Sequence, residues 1–305
     1  MDIKKALDLS STVPAYVLPE VIDGAIRDFA AKVPTMYNAV NKRAWASQTY
    51  FIRKRLSLPT AAWSIDGGPL PSATNSTYGR TSATVRYLYT RGEVTGPMIA
   101  AAGSVFDALG SEIEAHQQAI TERLSTDIVT ANGGSNDIKG ILYQITDDSS
   151  LYTAAGGPGQ VVDAGGAYLS LNWIDKAIDA STLTNGMNVA GPGATVAVTT
   201  RPVLRMINSL LQEQQRFMNV TEISAGFRVQ TYDGLPFIVD NHWQDNAKIL
   251  FFDASKATLL VHKDWTYEEL AKTKDSVDFF IKGYFGFALE GAASLLTNFA
   301  LTPNI

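Results

Sequence analysis

PTAAWSIDGGPLPSATNSTYG, residues 59–79, separates two segments that read as strands. Before it, residues 44–58 contain Trp45, Tyr50, Phe51, Ile52 and Leu56. After it, residues 80–95 alternate at Thr81, Ala83, Val85, Tyr87 and Tyr89, the period of a pleated strand. Hairpin loops ordinarily run to about two to five residues. A connection this long, rich in Gly, Pro, Ser and Thr, is either a functional extension or a mobile surface loop. A two-stranded ribbon alone is marginal in water, so this one is expected to lie on a neighbouring protein surface.

Working outward, residues 1–38 lead into the ribbon. Pro14, Pro19 and Pro34 prevent one long helix there. The amphipathic stretch Val21, Ile22, Ala25, Ile26 and Phe29 supports only a few turns, so the segment reads as an arm that packs on something else. Residues 98–132 carry the strongest helical pattern. Phe106, Leu109, Ile113, Ile120, Leu124 and Ile128 fall on one face, and Asn132, Gly133 and Gly134 end it. At about 1.5 Å per residue this helix reaches roughly 45–50 Å, long enough to be a scaffold element.

Residues 137–146 (DIKGILYQIT) read as a strand and 154–166 as a glycine-rich connection. Ser170 is placed to cap a helix carrying Leu171, Ile174, Ala177 and Ile178. After the breaks at Asn185-Gly186 and Gly191-Pro192-Gly193 comes a buried strand, Ala194 to Thr199. A helix follows, with Thr200 as its cap, Pro202 in its first turn and an apolar face of Val203, Leu204, Ile207, Leu210 and Leu211. Further strand-like runs lie at 227–232, 235–240, 248–253, 257–262 and 276–290. Helices and strands mixed without a βαβ rhythm predict an α+β fold.

The 305 residues are 46% hydrophobic and 18% charged, enough for one large or two medium cores and unlike a disordered chain. A net charge of −5 excludes a uniformly basic nucleic-acid binder. Without cysteine there is no disulfide, cysteine-based zinc site or thiol nucleophile. No apolar run is long enough for a membrane span, and MDIKKALDLSSTVPAYVLPEV, with Asp2 and Asp8, lacks the apolar region of a signal peptide. Neither a G-x-S-x-G elbow nor a phosphate-binding GxxxxGK[ST] loop occurs, and GGPGQ at 156–160 lacks the following Lys-Ser/Thr. His116, His242 and His262 lie far apart without metal-ligand spacing. Asp147-Asp148 reads as a turn, and the five tryptophans read as core. The sequence therefore assigns no catalytic residue, cofactor or metal.

Charge distribution says more than charge total. From Asn38 to Gly92 the basic residues are Lys42, Arg43, Arg53, Lys54, Arg55, Arg80, Arg86 and Arg91 against Asp66 alone, a net of +7. From Ser104 to Ala131 the acids are Asp107, Glu112, Glu114, Glu122 and Asp127 against Arg123 alone, a net of −4. A basic protruding ribbon and an acidic long helix suit complementary surfaces on neighbouring molecules. Two unrelated solvated faces, or a ribbon that binds nucleic acid through Arg interleaved with Tyr50, Tyr87 and Tyr89, are the other readings.

The order of these elements resembles that of tailed-bacteriophage major capsid proteins, which share the Hong Kong 97-like capsid fold. VQTYDGLPFIVDNHW (229–243) resembles the family's strand-turn segment with its Gly-x-Pro turn. AKILFFDASKATLLVHKDWTYEEL (247–270) is similar to the next strand pair, and DSVDFFIKGYFGFALEGAASLLTNFAL (275–301) to the closing long strand. TVAVTTRPVLRMINSLL (195–211) resembles the strand and helix that lead into the axial domain.

The resemblance implies an N-arm at 1–38, an E-loop at 39–95, and a peripheral domain at 96–165 and 263–305 with a spine helix at 98–132. It places the axial domain at 166–262, with peripheral strands from 135–165 and about 263–290. It implies a non-enzymatic virion protein that assembles in the host bacterial cytoplasm into hexamers and pentamers of an icosahedral head around double-stranded DNA. The implied partners are copies of the chain, a portal, a separate scaffolding protein if Met1 is the start, decoration proteins, and packaged DNA contacted without sequence specificity; no membrane is implied. Arg53, Lys54, Arg55, Arg86 and Arg91 are expected to face Glu112, Glu114 and Glu122 of a neighbour. Some relatives join the E-loop to a neighbour by a lysine–asparagine isopeptide bond. Here residues 59–79 hold no lysine and LAKTKDSV (270–277) no asparagine, so uncrosslinked particles are expected. An encapsulin-type nanocompartment shell is the alternative within the fold. Outside it, the alternative is a soluble α+β enzyme or sugar-binding protein with a mobile loop at 59–79.

Overall fold

The computed structural model describes residues 35–102, 107–134, 136–146, 160–182, 193–213, 219–224, 227–243, 245–272, 274–291 and 293–301. These hold six helices and thirteen strands. In chain order, α1 (Thr35–Ala39), β1 (Asn41–Ala44), β2 (Thr49–Ser57), β3 (Thr77–Thr84) and β4 (Arg86–Thr95) precede α2 (Gly96–Ala102), α3 (Ala108–Thr130) and α4 (Ile141–Thr146). Next come β5 (Val161–Asp163), α5 (Leu171–Thr182), β6 (Val196–Thr199), α6 (Arg201–Glu213), β7 (Asn219–Ser224) and β8 (Phe227–Tyr232). The chain continues with β9 (Leu235–Val239), β10 (Lys248–Phe252), β11 (Ala257–Glu269), β12 (Ser276–Leu289) and β13 (Ala293–Thr297).

Three sheets organise the chain: a four-stranded sheet β1-β11-β12-β4, a seven-stranded sheet β5-β13-β10-β6-β9-β8-β7, and the two-stranded ribbon β2-β3. In β10 the run Ile249-Leu250-Phe251-Phe252 is fully buried. Leu250 and Phe252 enter one core, Ile249 and Phe251 the other. A strand covered on both faces needs such an unbroken apolar run. One core packs α3 (Leu124, Ile128) and α4 (Ile141, Ile145) against Leu259, Phe285 and Phe287 of the long strands. The other packs α5 (Ile174, Ala177) and α6 (Val203, Ile207, Leu211) on the seven-stranded sheet. Ile120, Val94, Phe279 and Ile281 extend the contact of α3 with the four-stranded sheet.

The structure corrects several expectations. The single helix over 98–132 is two: Asp107 takes an extended conformation, and its carboxylate accepts from the Gly110 N–H at 3.0 Å, starting α3 at Ala108. With 23 residues, α3 spans about 35 Å. The strand expected at 137–146 is α4, preceded by a tight turn with Gly133 at φ 69° and an Asn132–Lys139 bridge. Ile141, Gln144 and Ile145 are its buried face, a helical spacing that so short a run cannot distinguish from a strand. Buried Gln144 donates to the Lys139 carbonyl at 2.6 Å and accepts from Leu289 N–H. Thr200 stands at the cap position of α6: its carbonyl accepts from the Leu204 N–H at 3.1 Å, and its hydroxyl donates to Asn246 Oδ1 at 2.8 Å.

The strand expected at 80–95 is also two. β3 pairs with β2, whereas β4, after the single residue Val85, pairs with β12. The ribbon therefore ends at Thr84, not at residue 95. Among the described residues of 135–165, β5 joins β13 in the seven-stranded sheet, so β13 also lies outside the four-stranded sheet. The amphipathic stretch at 21–29, GGPGQ apart from Gln160, Asp147-Asp148 and the Asn185-Gly186 break lie outside the described residues.

Candidate interaction surface

Alternation along β2 and β3 gives the ribbon two unlike faces. The register pairs Ile52 with Thr81 and Tyr50 with Ala83. Ile52, Thr81 and Ala83 are buried, so this face seats the ribbon's root on the body. The other face carries Phe51, Arg53 and Arg55 opposite Ser82, Arg80 and Tyr78. Arg80 lies 5.1 Å over the Phe51 ring and Arg55 5.6 Å over Tyr78. Arg53 stands directly opposite Arg80. Like charges in opposed positions are destabilising, and no ion pair among the described residues involves Arg53, Arg55 or Arg80. The ribbon thus carries a cationic, aromatic strip with no ion-pair partner among the described residues.

Beyond the strip, residues 58–76 form the tip. The Gly68 N–H donates to the Ile65 carbonyl at 2.9 Å across Gly67, which has φ 71°. The Ser64 hydroxyl donates to the Pro69 carbonyl at 3.0 Å, and the Thr60 N–H to Thr74 Oγ1 at 2.8 Å. This ordered turn leaves Leu58, Trp63, Ile65 and Leu70 exposed, Trp63 completely. At the root the Val85 N–H donates to the Gln48 carbonyl, and Tyr50 meets Trp45 edge to face at 4.8 Å.

The expected basic residues do not act as one group. Arg91, on β4, pairs with Asp278 on β12 at 2.9 Å. The Ser276 hydroxyl and then Arg91 hold the Asp278 carboxyl below its usual range. Arg86, also on β4, lines a small cavity with Tyr87, Asp127, Asp137 and Phe285. Both belong to the four-stranded sheet, so the ribbon strip is Arg53 and Arg55 joined by Arg80. Lys54 lies on β2 in register with Gly79. The place of Arg80 opposite Arg53 depends on strand register, for which period-two alternation from Tyr78 is the sequence signal.

On α3 the acids also divide. Asp107 caps the helix, and Asp127 is buried and bonded to Arg123 at 2.8 Å. Burial raises the Asp127 carboxyl against the pull of Arg123. Glu112 and Glu114 are exposed and Glu122 half-buried. Glu112 lies 3.9 Å from His116, whose other ring nitrogen meets the Thr90 hydroxyl at 2.6 Å. His242 is buried against Asp240 at 3.0 Å, and His262 meets the Trp45 carbonyl at 3.0 Å. The three histidines therefore occupy separate places with separate partners. Among the described residues no helix is long and apolar enough to cross a membrane.

A family model described as SU10 major capsid protein matches residues 22–296. No curated protein sequence matches the chain. Among solved structures, the capsid of cyanophage A-1(L) superposes with a TM-score of 0.74 at 12% identity, over 94% of this chain and 98% of that one. A chain from the structure of Mycobacterium phage Adephagia gives 0.65 at 16% identity, covering 95% and 97%. The SrpI encapsulin of Synechococcus elongatus gives 0.68 at 11% identity, covering 99% and 96%.

Proposed function

The chain belongs to the SU10 major capsid protein family and has the Hong Kong 97-like fold, and on that premise we propose that it builds an icosahedral phage head from hexamers and pentamers of itself. Its role is structural. The ribbon formed by β2 and β3 serves as the E-loop. α3 is the spine helix. The four-stranded sheet with α3 makes the peripheral domain, and the seven-stranded sheet with α5 and α6 the axial domain. Assembly takes place in the host cytoplasm. The further partners are a portal, decoration proteins, and double-stranded DNA contacted without sequence specificity.

The observation that carries this reading is the opposition of Arg53 and Arg80 on a ribbon whose buried Ile52 and Ala83 seat its root on the body. Such a strip suits a neighbouring copy that supplies acids, and the exposed Glu112 and Glu114 of α3 are suited to it. Single exposed pairs contribute about 0–1 kcal/mol, so the shell draws on repetition over many interfaces. Sizing and negative-stain microscopy of the purified protein should give capsomers or closed shells. A monomer or small oligomer under all assembly conditions contradicts the reading and favours a soluble α+β enzyme or binding protein.

The encapsulin likeness supports a nanocompartment shell as second reading. Particle contents separate the two, since a phage head takes up DNA and a nanocompartment takes up protein cargo.

A further inference from the structure

His116 of α3 stands on the four-stranded sheet. Its Nδ1 lies 2.6 Å from the Thr90 hydroxyl of β4, and its ring meets the buried Phe279 ring of β12 edge to face at 5.3 Å. Gly92 makes the seat. It is in register with Phe279, and a Cβ added there would lie 2.8 Å from His116 Nε2 and closer still to the Phe279 ring. The His116 side chain is 23% exposed, and its Nε2 lies 3.9 Å from Glu112, one turn back on α3. That gap is too long for a hydrogen bond. A protonated imidazole carries N–H at both nitrogens, so Nε2 then has a proton to offer the Glu112 carboxylate.

Among the described residues the ring has no charged partner besides Glu112. On β4, alternation turns Thr90, Gly92 and Val94 toward α3 and Arg91 and Glu93 away from it, where they pair with Asp278 and Lys274. On β12, Asp278 is in register with Glu93 and is held by Ser276 and Arg91. Behind Phe279, Tyr267 of β11 meets the ring at 5.7 Å, and its hydroxyl donates to Glu269. α2, GPMIAAA, carries no charge. Glu112 and His116 are four residues apart with the acid nearer the N-terminus, the order that favours an ion pair on a helix.

Resting on the shell reading above, we propose that His116 is a positioning residue that makes the pairing of Glu112 with the arginine strip of a neighbouring copy depend on pH. With the ring neutral, Glu112 projects from α3 and its charge is open to the neighbour. With the ring protonated, the carboxylate turns back onto Nε2, and the charge is neutralised within its own chain. Histidine changes charge between about pH 5 and 8, so mild acid withdraws one counter-charge from every copy. Protonation and pairing compete for one carboxylate. Acid therefore weakens assembly, and assembly in turn disfavours protonation. The seat on Gly92 and Phe279 holds the ring one helical turn from Glu112 in either state.

The test follows assembly of the full chain by light scattering between about pH 5.5 and 7.5 at low salt. Wild-type protein should assemble about threefold more slowly at the acid end, the weight of one exposed pair. His116→Gln has no charge to gain and should keep the neutral wild-type rate across the range. His116→Lys is a cation throughout, so at about pH 7.5 it should assemble as slowly as wild type does in acid. Glu112→Gln changes an exposed residue and keeps the test decisive if the His116 variants fold poorly. Its rate should be flat with pH and low. A wild-type rate that does not fall in acid, or a fall that persists in Glu112→Gln or in folded His116→Gln, overturns the proposal and leaves the shell reading standing. Wild-type protein that forms no shell at any of these pH values overturns the shell reading itself.

Discussion

Tyr50 donates its phenolic hydrogen to the carboxylate of Glu290. The bond joins the root of the ribbon to the residue just past β12, 240 positions later. Glu290 is anchored in turn by its own N–H, which donates to the Lys256 carbonyl at 3.0 Å. Arg43 lies 5.8 Å from the Tyr50 ring. The direction in which the ribbon leaves the body therefore depends on one side-chain bond as well as on the buried Ile52 and Ala83.

Tyr50→Phe removes that bond and keeps the ring, so the chain should lose about 1 kcal/mol of stability. The bond to Glu290, and then burial, hold the Tyr50 phenol above its ordinary value. The folded state thus favours the protonated phenol. Its contribution is complete below the unfolded value of about 10 and is lost as pH rises through the higher folded value. Melting temperatures of wild type and Tyr50→Phe should converge in that alkaline range. A gap that stays constant there contradicts the assignment.

Assembly should depend on the strip as a set. Arg53, Lys54 and Arg55 changed together to Glu should slow or abolish capsomer formation, measured by light scattering. Glu112, Glu114 and Glu122 changed to Lys in the same chain should partly restore it. Screening over about 8–10 Å makes the wild-type rate fall with added salt. Because Arg80 opposes Arg53, Arg80→Ala should stabilise the isolated chain slightly, by relieving repulsion, while weakening assembly. Normal rate and salt dependence in the triple reversal would falsify the pairing.

Arg91 should behave differently, because its partner is in its own chain. Asp278 is held low by Ser276 and Arg91, so its contribution is present above the unfolded carboxyl value of about 4 and lost as pH falls through the lower folded one. Asp278→Asn should be less stable than wild type at neutral pH, and the difference should close in acid. Arg91→Ala should lower the melting temperature of the unassembled chain. If it affects only assembly, the intrachain pair is not what matters at this position.

Much of the fold was legible where apolar runs had one reading. The run Ile249 to Phe252 read as a strand and is one, and Val203, Leu204, Ile207 and Leu211 read as a helix face and form one. The ribbon's end was not legible. Alternation runs unbroken from Thr81 to Tyr89, and nothing marks Val85 as the residue where the strand leaves β2's sheet and joins β12. That change of partner moved Arg86 and Arg91 out of the strip. The break at Asp107 was hidden for a related reason: Phe106 keeps the helical phase, so the pattern reads across a residue that is a cap. Pattern reports which face is buried; it does not report which strand is alongside.

Phe251 tests the doubly covered strand. Its ring is fully buried and meets Phe237 at 6.3 Å in the core beneath α5 and α6. Phe251→Ala should cost about 3–5 kcal/mol, read as a fall in chemical-denaturation midpoint. A loss below about 1 kcal/mol would place this core at the surface, where small effects are the rule.

The assembled particles should dissolve to single chains of 32.9 kDa on a denaturing gel. Residues 59–79 hold no lysine and 270–277 no asparagine, so the pair known in some relatives is missing in that arrangement. The reverse arrangement exists in sequence, with Asn75 in the tip and Lys272 and Lys274 before β12. An isopeptide bond needs a neutral amine to attack the amide carbon and release ammonia. Lys274 is bound to Glu93 at 2.6 Å, which raises its ammonium above the ordinary lysine value and keeps the nitrogen lone pair protonated. Asn75 and Lys272 are exposed, where water solvates amide and amine alike. A ladder of covalent multimers from wild-type particles would overturn this, and loss of the ladder in Lys272→Arg or Lys274→Arg would then identify the attacking residue.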